Sequence, residues 1–533
     1  MPYAEMIYGI FLTNVSINLL ADYNITIMTV DLSNTLDVVR RSLNDTTDRR
    51  ERSKIGQFFT PAQIAQFMAS LFLHVGTDVR ILDPGAGAGV LFASFVEALV
   101  SREGRPLSIT VIAYENDRGV LPYLKDTIER CRLLCKDAGI SFFGEIRSED
   151  FVASAIAQSD EGLFATRGER FTHAILNPPY KKISSDTAMR RSLNAAGLEV
   201  SNLYAAFVSL AARMLTPEGE MVAITPRSFC NGPYFRRFRV GLLDIMSLRH
   251  IHVFESRRKA FGDDGVLQEN VIYHAVRAAK KPKHILLSSS NGVDFEHTIT
   301  RSVPYDRIIL PGDRDAFIHL ALSDDDTRAT ERMGRFTTTL YDLGLEVSTG
   351  PVVDFRVQRY LHKNAAKGTV PLIYPGHFKD GFIQWPMESQ KKPNAIESST
   401  HTKDMLLESG YYVLLKRFSS KEEKRRVVSA IYDPHRVTAS LVGFENHVNY
   451  FHAKGKGLAP TLARGLVLYL NSTLFDLYFR IFSGHTQVNA TDLRKMHYPS
   501  REQLIRLGSH IKNHMPDQET VDAILKEECE SHG

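Results

Sequence analysis

Apolar and polar residues alternate along the first half of the chain in a way that predicts a parallel β-sheet. Longer stretches with apolar residues three to four positions apart separate five short apolar runs between residues 79 and 225: VRILD, ITVIAYE, ISFFGE, THAILN and EMVAIT. Strands that alternate with helical patterns are typical of βαβ units, in which helices cover both faces of a sheet. The pattern therefore predicts an α/β fold with a mostly parallel sheet.

The pattern changes after about Lys280, where short strand-like runs, turns and irregular stretches such as STGPVVDFR replace the regular alternation. A helical pattern from Asp31 to Arg52 precedes the first half, and Met28 is a possible alternative start, which leaves residues 1–27 open. The prediction is a four-part division of the chain: a partly disordered lead-in over residues 1–50, a first domain over 51–280, a boundary region over 281–343 and a second domain over 344–533.

Composition excludes several classes of protein. Hydrophobic residues make up 43% and charged residues 24% of the 533 residues, unlike a disordered, fibrous or membrane-embedded chain, and we expect no membrane association. The formal net charge is +4, so affinity for nucleic acid must come from local clusters of basic residues. Four cysteines suit a reducing, cytoplasmic location; Cys131 and Cys135 are predicted to pack inside a helical layer, and no metal site is predicted.

A glycine-rich turn follows the first predicted strand. Gly85, Gly87 and Gly89 lie in DPGAGAG, just before a helical pattern, and glycine lets helix-terminal N–H groups approach a ligand closely. Asp83 can accept a hydrogen bond from an amine or hydroxyl, but it would be a poor neighbour for a pyrophosphate. Glu115, at the end of the next strand, is placed to accept both hydroxyls of a ribose. The pair indicates an adenosine-containing ligand, and a purely structural turn is the alternative.

A third acidic residue belongs to the same predicted edge of the sheet. Asp150 follows the third strand in SEDF, where its carboxylate can contact the same ligand. It can equally serve as the N-cap of the helical pattern FVASAIAQ. The two roles are compatible, so the sequence leaves both open.

The tetrapeptide Asn177, Pro178, Pro179 and Tyr180 directly follows the strand THAIL. Two prolines remove two amide donors and fix the backbone, so the Asn177 amide oxygen and the Pro178 carbonyl are available as rigid acceptors. Tyr180 adds an aromatic face beside them. This arrangement suits a planar ring with an exocyclic NH₂ group: the two acceptors bind its hydrogens while the ring stacks on tyrosine.

In this order, GQFFTP (56–61), DPGAGAG (83–89), Glu115, Asp150 and the NPPY tetrapeptide resemble the γ-class adenine-N6 DNA methyltransferases, the Eco57I-type modification methylases of type II restriction-modification systems. The resemblance covers residues 50–275 closely. It implies an S-adenosylmethionine-dependent methyltransferase domain of Rossmann-like fold over 51–280 and a mixed α/β target-recognition domain over 344–533. The implied cofactor is S-adenosyl-L-methionine, and the implied substrate is double-stranded DNA.

The resemblance also implies roles for individual residues. Gln57, Phe58, Phe59, Thr60 and Pro61 would line the pocket of the cofactor's methionine part. Asp83 and the three glycines would hold its amino-acid end, Glu115 its ribose, and Asp150 with Phe151 its adenine.

In this family the target adenine is flipped out of the helix, and an aromatic side chain contacts its second face. Matching TPRSFCNGPYFRRFR by its proline and spacing assigns this role to Phe235, with Tyr234 and Phe229 as alternatives. Tyr180 and Phe235 would then enclose the extruded base, while Asn177 and Pro178 bind its amine.

Candidate DNA-contacting residues follow residue 344. In YYVLLKRFSSKEEKRR the candidates for phosphate contacts are Lys416, Arg417, Lys421, Lys424, Arg425 and Arg426. A solvated charge run is the alternative, because Glu422 and Glu423 interrupt the basic residues. In SGHTQVNATDL the hydrogen-bonding candidates are His485, Gln487 and Asn489, which either read bases or brace the loop.

Other functions share the NPPY tetrapeptide, including methylation of release-factor glutamine and of ribosomal RNA. The roughly 200 further residues favour DNA. Methylation of cytosine N4 is disfavoured because enzymes of that class more often begin the tetrapeptide with serine. A non-enzymatic specificity subunit is disfavoured because every catalytic position is present in this sequence. About fifty residues precede GQFFTP, so we expect the cognate restriction endonuclease to be a separate protein without a stable complex, and the methyltransferase to act as a monomer.

Overall fold

The computed structural model describes residue 32 and residues 35–37, 60–160, 169–255, 269–388, 391–419, 423–483 and 487–530. All five strands that the pattern predicts are present. They are β1 (Asp78–Pro84), β2 (Ser108–Tyr114), β3 (Ser141–Arg147), β4 (Phe171–Leu176) and β5 (Leu215–Pro226). Their pairing is parallel throughout, in the order β3-β2-β1-β4-β5, so the α/β prediction for the first half is confirmed.

Four further strands extend this sheet to nine. They are β6 (Met246–Phe254), β7 (Asn270–Arg277), β8 (His284–Asn291) and β9 (Asp294–Pro304), and the full order is β3-β2-β1-β4-β5-β7-β6-β8-β9. β7 is antiparallel to β5 and β6, whereas β6 and β8 are parallel. Because β8 and β9 lie beyond residue 280, the first sheet continues into the predicted boundary region.

Helices cover both faces of this sheet. The helices of the first half are α1 (Ala62–Ser70), α2 (Val90–Ser101), α3 (Leu121–Asp137), α4 (Phe151–Asp160), α5 (Ala188–Ala195), α6 (Leu203–Met214) and α7 (Arg236–Ile245). Two buried clusters form, one on each side of the strands. Cys131 and Cys135 are fully buried on α3 in the second of these clusters, as predicted from their spacing.

Two smaller sheets make up the second half. The strands are β10 (Glu346–Thr349), β11 (Leu361–His362), β12 (Thr369–Ile373), β13 (Phe378–Lys379), β14 (Phe382–Ile383), β15 (Ala395–Glu397), β16 (Leu406–Glu408), β17 (Tyr412–Lys416), β18 (Ser429–Tyr432), β19 (Leu441–Phe444) and β20 (Val448–His452). One sheet has the order β10-β20-β17-β18-β14-β13 and the other β11-β15-β12-β19-β16. Parallel pairs such as β12 with β19 join segments far apart in the chain.

The remaining helices pack mainly at the end of the chain. They are α8 (Tyr305–Ile308), α9 (Asp324–Met333), α10 (Pro460–Leu470), α11 (Thr473–Phe482), α12 (Ala490–Leu493), α13 (Arg501–Ser509) and α14 (Gln518–Glu530). α10 and α13 approach closely through glycine: a Cβ atom on Gly465 would lie 1.7 Å from the Leu504 carbonyl oxygen, and one on Gly508 would lie 1.9 Å from that of Thr461. In the described part of the chain, no helix is long and apolar enough to cross a membrane.

The boundary region is divided between the two halves. Ile318 and Leu320 belong to the core of the first half, whereas Phe317 belongs to the core of the second. The Ile318 amide donates to the Cys230 carbonyl, 2.9 Å away. Neighbouring side chains of this segment therefore pack into different cores, and the two halves meet along this segment.

Candidate active site

The glycine turn forms the wall of a cavity at the carboxyl ends of the parallel strands. Gly85, Gly87 and Gly89 have φ angles of 83°, 55° and 88°, a left-handed conformation that glycine alone adopts without strain. A Cβ atom on Gly89 would lie 2.6 Å from the Phe92 ring and 2.9 Å from Thr127 Cγ2. The third glycine therefore also allows α2 to pack closely against α3.

Glu115 is tied to the glycine turn by its carboxylate. Oε2 accepts from the Gly87 amide at 2.9 Å, and Oε1 accepts from the Asp117 amide at 2.8 Å. Burial raises the pKa of Glu115, and these two amides oppose that change. Each carboxylate oxygen has a second lone pair, so Glu115 can still accept hydroxyl groups from a ligand.

Asp83 lies at the end of β1 behind the turn and is completely buried. Among the described residues, neither of its carboxylate oxygens has a hydrogen-bond partner. Burial raises the pKa of Asp83 well above its usual range; the nearby backbone amide of Phe92 partly opposes this change, and the charge of Glu115 adds to it. A buried carboxylate without a partner is energetically costly, so this group is suited to pairing with a cationic ligand.

Asp150 takes the helix-capping role that the sequence left open. Its Oδ1 accepts from the Ala153 amide at 2.8 Å, at the start of α4. Phe151 is buried beside it, with its ring 5.1 Å from Tyr114 and 5.0 Å from Phe207 between centroids. Asp150 and Phe151 both line the cavity, so capping and ligand contact are compatible here.

Thr60 and Tyr180 both hold the Asn177 side chain in its orientation. Its Nδ2 donates to Thr60 Oγ1 at 3.0 Å, and the Tyr180 hydroxyl donates to its Oδ1 at 3.0 Å. Because Thr60 takes the donor side of the amide, the oxygen is the atom available as an acceptor. The same Tyr180 hydroxyl also lies 3.3 Å from the Ile224 carbonyl oxygen, and burial raises the pKa of Tyr180.

Tyr180 and Phe235 each contact a third aromatic residue, Tyr204 of α6. The Tyr180 and Tyr204 rings are 6.2 Å apart and nearly perpendicular, and the Tyr204 and Phe235 rings are 5.5 Å apart at 31°. Phe235 is buried, whereas 81% of Tyr234 is exposed. The sequence did not indicate Tyr204, since a tyrosine within an apolar helix carries no motif.

The cavity has a volume of about 290 Å³, at the lower end of the range for small-molecule sites. It brings together eight of the residues predicted from the motifs: Thr60, Gly85, Gly87, Glu115, Asp150, Phe151, Asn177 and Pro179. Six other predicted residues are described but do not line it: Pro61, Asp83, Gly89, Pro178, Tyr180 and Phe235. It also includes residues that the motifs did not indicate: Leu36, Asn116, Asp117, Glu149, Lys181, Leu203 and Phe207. Asn116 and Asp117 directly follow Glu115 in the sequence, and this position could have served as a basis for predicting that they line the cavity. Gln57, Phe58 and Phe59 lie outside the described residues.

In the second half, the structure places several predicted DNA-contacting residues in contact with protein. Arg417 donates to the Asn446 carbonyl at 3.0 Å and lies 3.5 Å from Gln487 Oε1. Asn489 Nδ2 donates to Asp492 Oδ2 at 3.1 Å, so this side chain braces the loop. Arg426 is only 2% exposed, so the interpretation that it contacts phosphate is wrong.

The other basic candidates differ in exposure. Arg425 donates to the Ser472 carbonyl at 2.9 Å, while Lys416 is half-buried and Lys424 is exposed. Lys421 and His485 lie outside the described residues. Within the described ranges, no cluster of three or more His, Cys, Asp or Glu side chains could hold a metal ion.

Comparison with known proteins identifies the family. Residues 120–261 match the Eco57I restriction-modification methylase family. The chain is 40% identical over 502 residues to the type II methyltransferase M.PstI of Providencia stuartii, covering 94% of this chain and 98% of that one. It is 43% identical over 498 residues to the type II methyltransferase M.BsuBI of Bacillus subtilis, covering 92% and 97%.

A solved structure shares the fold of both halves. The type IIL restriction-modification enzyme MmeI, solved in complex with DNA, aligns with a TM-score of 0.54 at 11% identity, covering 94% of this chain and 75% of that one. The sequence relationships extend over the same length. The chain therefore belongs to the type II methyltransferases of restriction-modification systems, within the Eco57I methylase family.

Proposed function

We propose that this protein transfers the methyl group of S-adenosylmethionine to adenine N6 in double-stranded DNA. The observation that carries the proposal is the Asn177 amide at the end of β4. Thr60 accepts from its nitrogen, so its oxygen, to which the Tyr180 hydroxyl also donates, faces as an acceptor on the wall of the 290 Å³ cavity. An acceptor fixed in this way suits an exocyclic NH₂ group.

The residues around the cavity fit the cofactor. Asp83 lies behind the glycine turn and does not line the cavity, but its buried carboxylate has no partner within hydrogen-bond distance among the described residues, which suits the cofactor's cationic amino group. Glu115 retains lone pairs for ribose hydroxyls, and Phe151 offers an apolar face for the adenine ring. When bound, S-adenosylmethionine supplies an electrophilic methyl group.

The amine of adenine is a weak nucleophile because its lone pair is delocalised into the ring. Asn177 Oδ1 and the Pro178 carbonyl oxygen accept its two hydrogens, which increases electron density on the nitrogen and favours tetrahedral geometry. These acceptors are fixed before the base arrives, since Pro178 and Pro179 restrict the backbone and Thr60 orients the amide. No separate strong base is required.

The target base must leave the double helix to reach Asn177, at a cost of a few kcal/mol. Tyr180 and Phe235 both contact Tyr204, and stacking of the base on their rings would offset this cost. The second half supplies contacts to DNA. In this proposal the enzyme acts as a monomer and protects the methylated site from a separate cognate restriction endonuclease with which it forms no stable complex.

Identification of the product tests the proposal directly. The protein is incubated with S-adenosylmethionine carrying a labelled methyl group and, in parallel, with double-stranded DNA, RNA or protein. We expect label only in DNA, as N6-methyladenine, within one sequence context after mapping. N4-methylcytosine would contradict the choice of base, and label only in RNA or protein would contradict the substrate.

Asn177→Ala tests the role assigned to the amide. We expect this variant to lose about 2 to 4 kcal/mol of transition-state stabilisation, at least a 30-fold lower rate, while cofactor affinity changes little. Asn194→Ala on the exposed part of α5 is the matched control and should methylate at the wild-type rate. Full turnover by Asn177→Ala would exclude the mechanism.

A further inference from the structure

The loop that carries Phe235 is fixed by contacts to both halves of the molecule. This loop, residues 227–235, connects β5 to α7 and is called the aromatic loop. Arg239 of α7 is completely buried and donates to the carbonyls of Phe229 and Gly232, both at 2.8 Å. Burial lowers the pKa of Arg239 to about 10, so the guanidinium stays charged at neutral pH. Its other nitrogens donate to the Asp315 carbonyl in the segment between the halves.

The first residue of the aromatic loop reaches into the second half. Arg227 is 4% exposed, and its Nη2 lies 3.1 Å from the Ile481 carbonyl and 3.3 Å from the Arg480 carbonyl. Both carbonyls belong to the last turn of α11, where a cation also interacts favourably with the helix dipole. The charge of Arg227 is balanced by Glu269, 3.4 Å away.

α11 contacts the basic segment predicted to bind DNA and precedes the second such segment in the chain. Asp476 on this helix accepts from the amides of Arg426 and Val427 at 2.8 and 2.7 Å. Arg480 donates to the carbonyls of Glu423 and Lys424, at the start of the same basic segment. The carboxyl end of α11 leads into the chain that contains Gln487.

A second contact joins α11 to the segment beside Arg239. The Phe482 ring packs edge-on against Phe317 at 5.0 Å, and the Arg239 guanidinium lies 4.8 Å from the same Phe317 ring. Lys495 completes the cluster by donating to Asp315 Oδ2 at 2.8 Å. A displacement of α11 would therefore alter the contacts of both arginines that hold the aromatic loop, Arg227 and Arg239.

We propose that Arg227 is a positioning residue that couples target recognition to capture of the flipped base. When DNA contacts fix the segments held by α11, the Arg227 contact places the aromatic loop, and hence Phe235, in position to stack on the base. The inference rests on the proposed function. Arg227 itself touches neither cofactor nor substrate.

The test compares a paired target with one that is already easy to extrude. In one duplex the target base, still unmethylated, is paired normally. In the other an abasic site lies opposite that base, which lowers the cost of flipping. Single-turnover methylation rates are measured on both duplexes. Both duplexes are built around the base that the mapping identifies as the target. The comparison of the two rates therefore stays valid even if that base is not adenine.

Two variants keep the test interpretable. Arg227→Lys retains the charge beside Glu269 but cannot reach both carbonyls, and the double variant Arg227→Met/Glu269→Gln removes the pair without leaving a buried charge unpaired. We expect the rate on the paired duplex to fall at least about tenfold and the rate on the abasic duplex to stay within about threefold of wild type. Cofactor affinity should not change.

The control is Arg213→Lys, which weakens a comparable bond to the Ala196 carbonyl inside the first half and should change both rates equally. If the Arg227 variants lower both rates by the same factor, the residue has only a structural role and the inference is wrong. Wild-type rates of the variants on the paired duplex would overturn it as well. Failure of the wild-type protein to methylate DNA would instead contradict the proposed function.

Discussion

Asp83 combines a cost in stability with the binding role proposed for it. It is fully buried, and its oxygens have no hydrogen-bond partner within the described residues. Since burial raises its pKa, ionisation of Asp83 in the folded protein costs free energy. That cost is absent below the ordinary pKa of an aspartate and grows as the pH rises towards the raised value.

The variant Asp83→Asn should therefore affect the stability of the protein and its affinity for S-adenosylmethionine in opposite directions. We expect the variant without cofactor to melt no lower than wild type at neutral pH, because it no longer buries a carboxylate. Its dissociation constant for S-adenosylmethionine should rise about 10- to 100-fold, the effect of losing one charged hydrogen bond. Wild-type affinity should fall at acid pH as Asp83 takes up a proton, and the variant should lose this dependence.

Calorimetry from pH 5 to 8 together with thermal melting measures both effects. Asp78→Asn, at the exposed beginning of the same strand, is the control and should leave affinity unchanged. Equal affinity of Asp83→Asn and wild type would show that the carboxylate does not hold the cofactor.

At this scale the sequence predicts groups whose chemistry is local. Asp83, Glu115 and Asn177 each lie at or just after the carboxyl end of a strand, so their common position at one edge of the sheet could be predicted from the sequence. The bond between Thr60 and Asn177 could not, because the two residues are 117 positions apart. Tyr204 was also missed, since a buried tyrosine on an apolar helix resembles any other core residue.

At the scale of elements, the contact between α10 and α13 depends on the absence of side chains. A Cβ atom on Gly465 would lie 1.7 Å from the Leu504 carbonyl oxygen, so the helices must separate to admit a methyl group. We expect Gly465→Ala to lower the free energy of unfolding by about 1 to 3 kcal/mol. Urea denaturation measures the change.

Gly241→Ala is the matched control, because Gly241 lies in α7 with nothing within 4 Å of its added Cβ atom. Alanine is the better helix former by about 1 kcal/mol, so this variant should be as stable as wild type or more so. A Gly465→Ala variant that also gained stability would mean that the two helices are not in close contact.

The elements differ in how far they could be predicted. β1 to β5 are buried parallel strands, which appear in the sequence as apolar runs. β9 is largely exposed and shows no such run. In the second half, strands of two to five residues pair with distant segments, for example β14 with β18, and local periodicity carries no information about such pairs.

For the molecule as a whole, we expect stability to depend on a buried polar network around β5, the central strand of the first sheet. Glu220 of β5 accepts from the Leu73 and His74 amides at 2.8 and 2.9 Å and from His274 Nε2 at 3.0 Å. Burial alone would raise the pKa of Glu220, but the bonds from His274 and the other donors lower it to about 2. The network attaches the segment after α1 to the sheet.

We expect Glu220→Gln to lower the free energy of unfolding by about 2 to 3 kcal/mol at neutral pH, the usual cost of losing hydrogen bonds to a buried charged group. Because the folded pKa of Glu220 is depressed, its contribution is fully present above about pH 4.5 and is lost as the pH falls towards 2. The difference between variant and wild type should therefore shrink at acid pH.

Urea denaturation at pH 7 and pH 3.5 measures this difference. Glu218→Gln, on the exposed part of the same strand, should have no effect at either pH. A Glu220→Gln penalty that stayed constant between the two would show that the carboxylate charge does not contribute.

The segment in which Phe317 belongs to one core and Ile318 to the other bears on how such an enzyme could acquire a new target. A graft that exchanged everything after this segment would leave Arg239, Asp315 and Arg227 facing side chains and carbonyls chosen for a different partner. In the proposed function, in which the second half reads the target, we therefore expect such a graft to be impaired, and a change of specificity that keeps the junction to come from substitutions within the loops of the existing half.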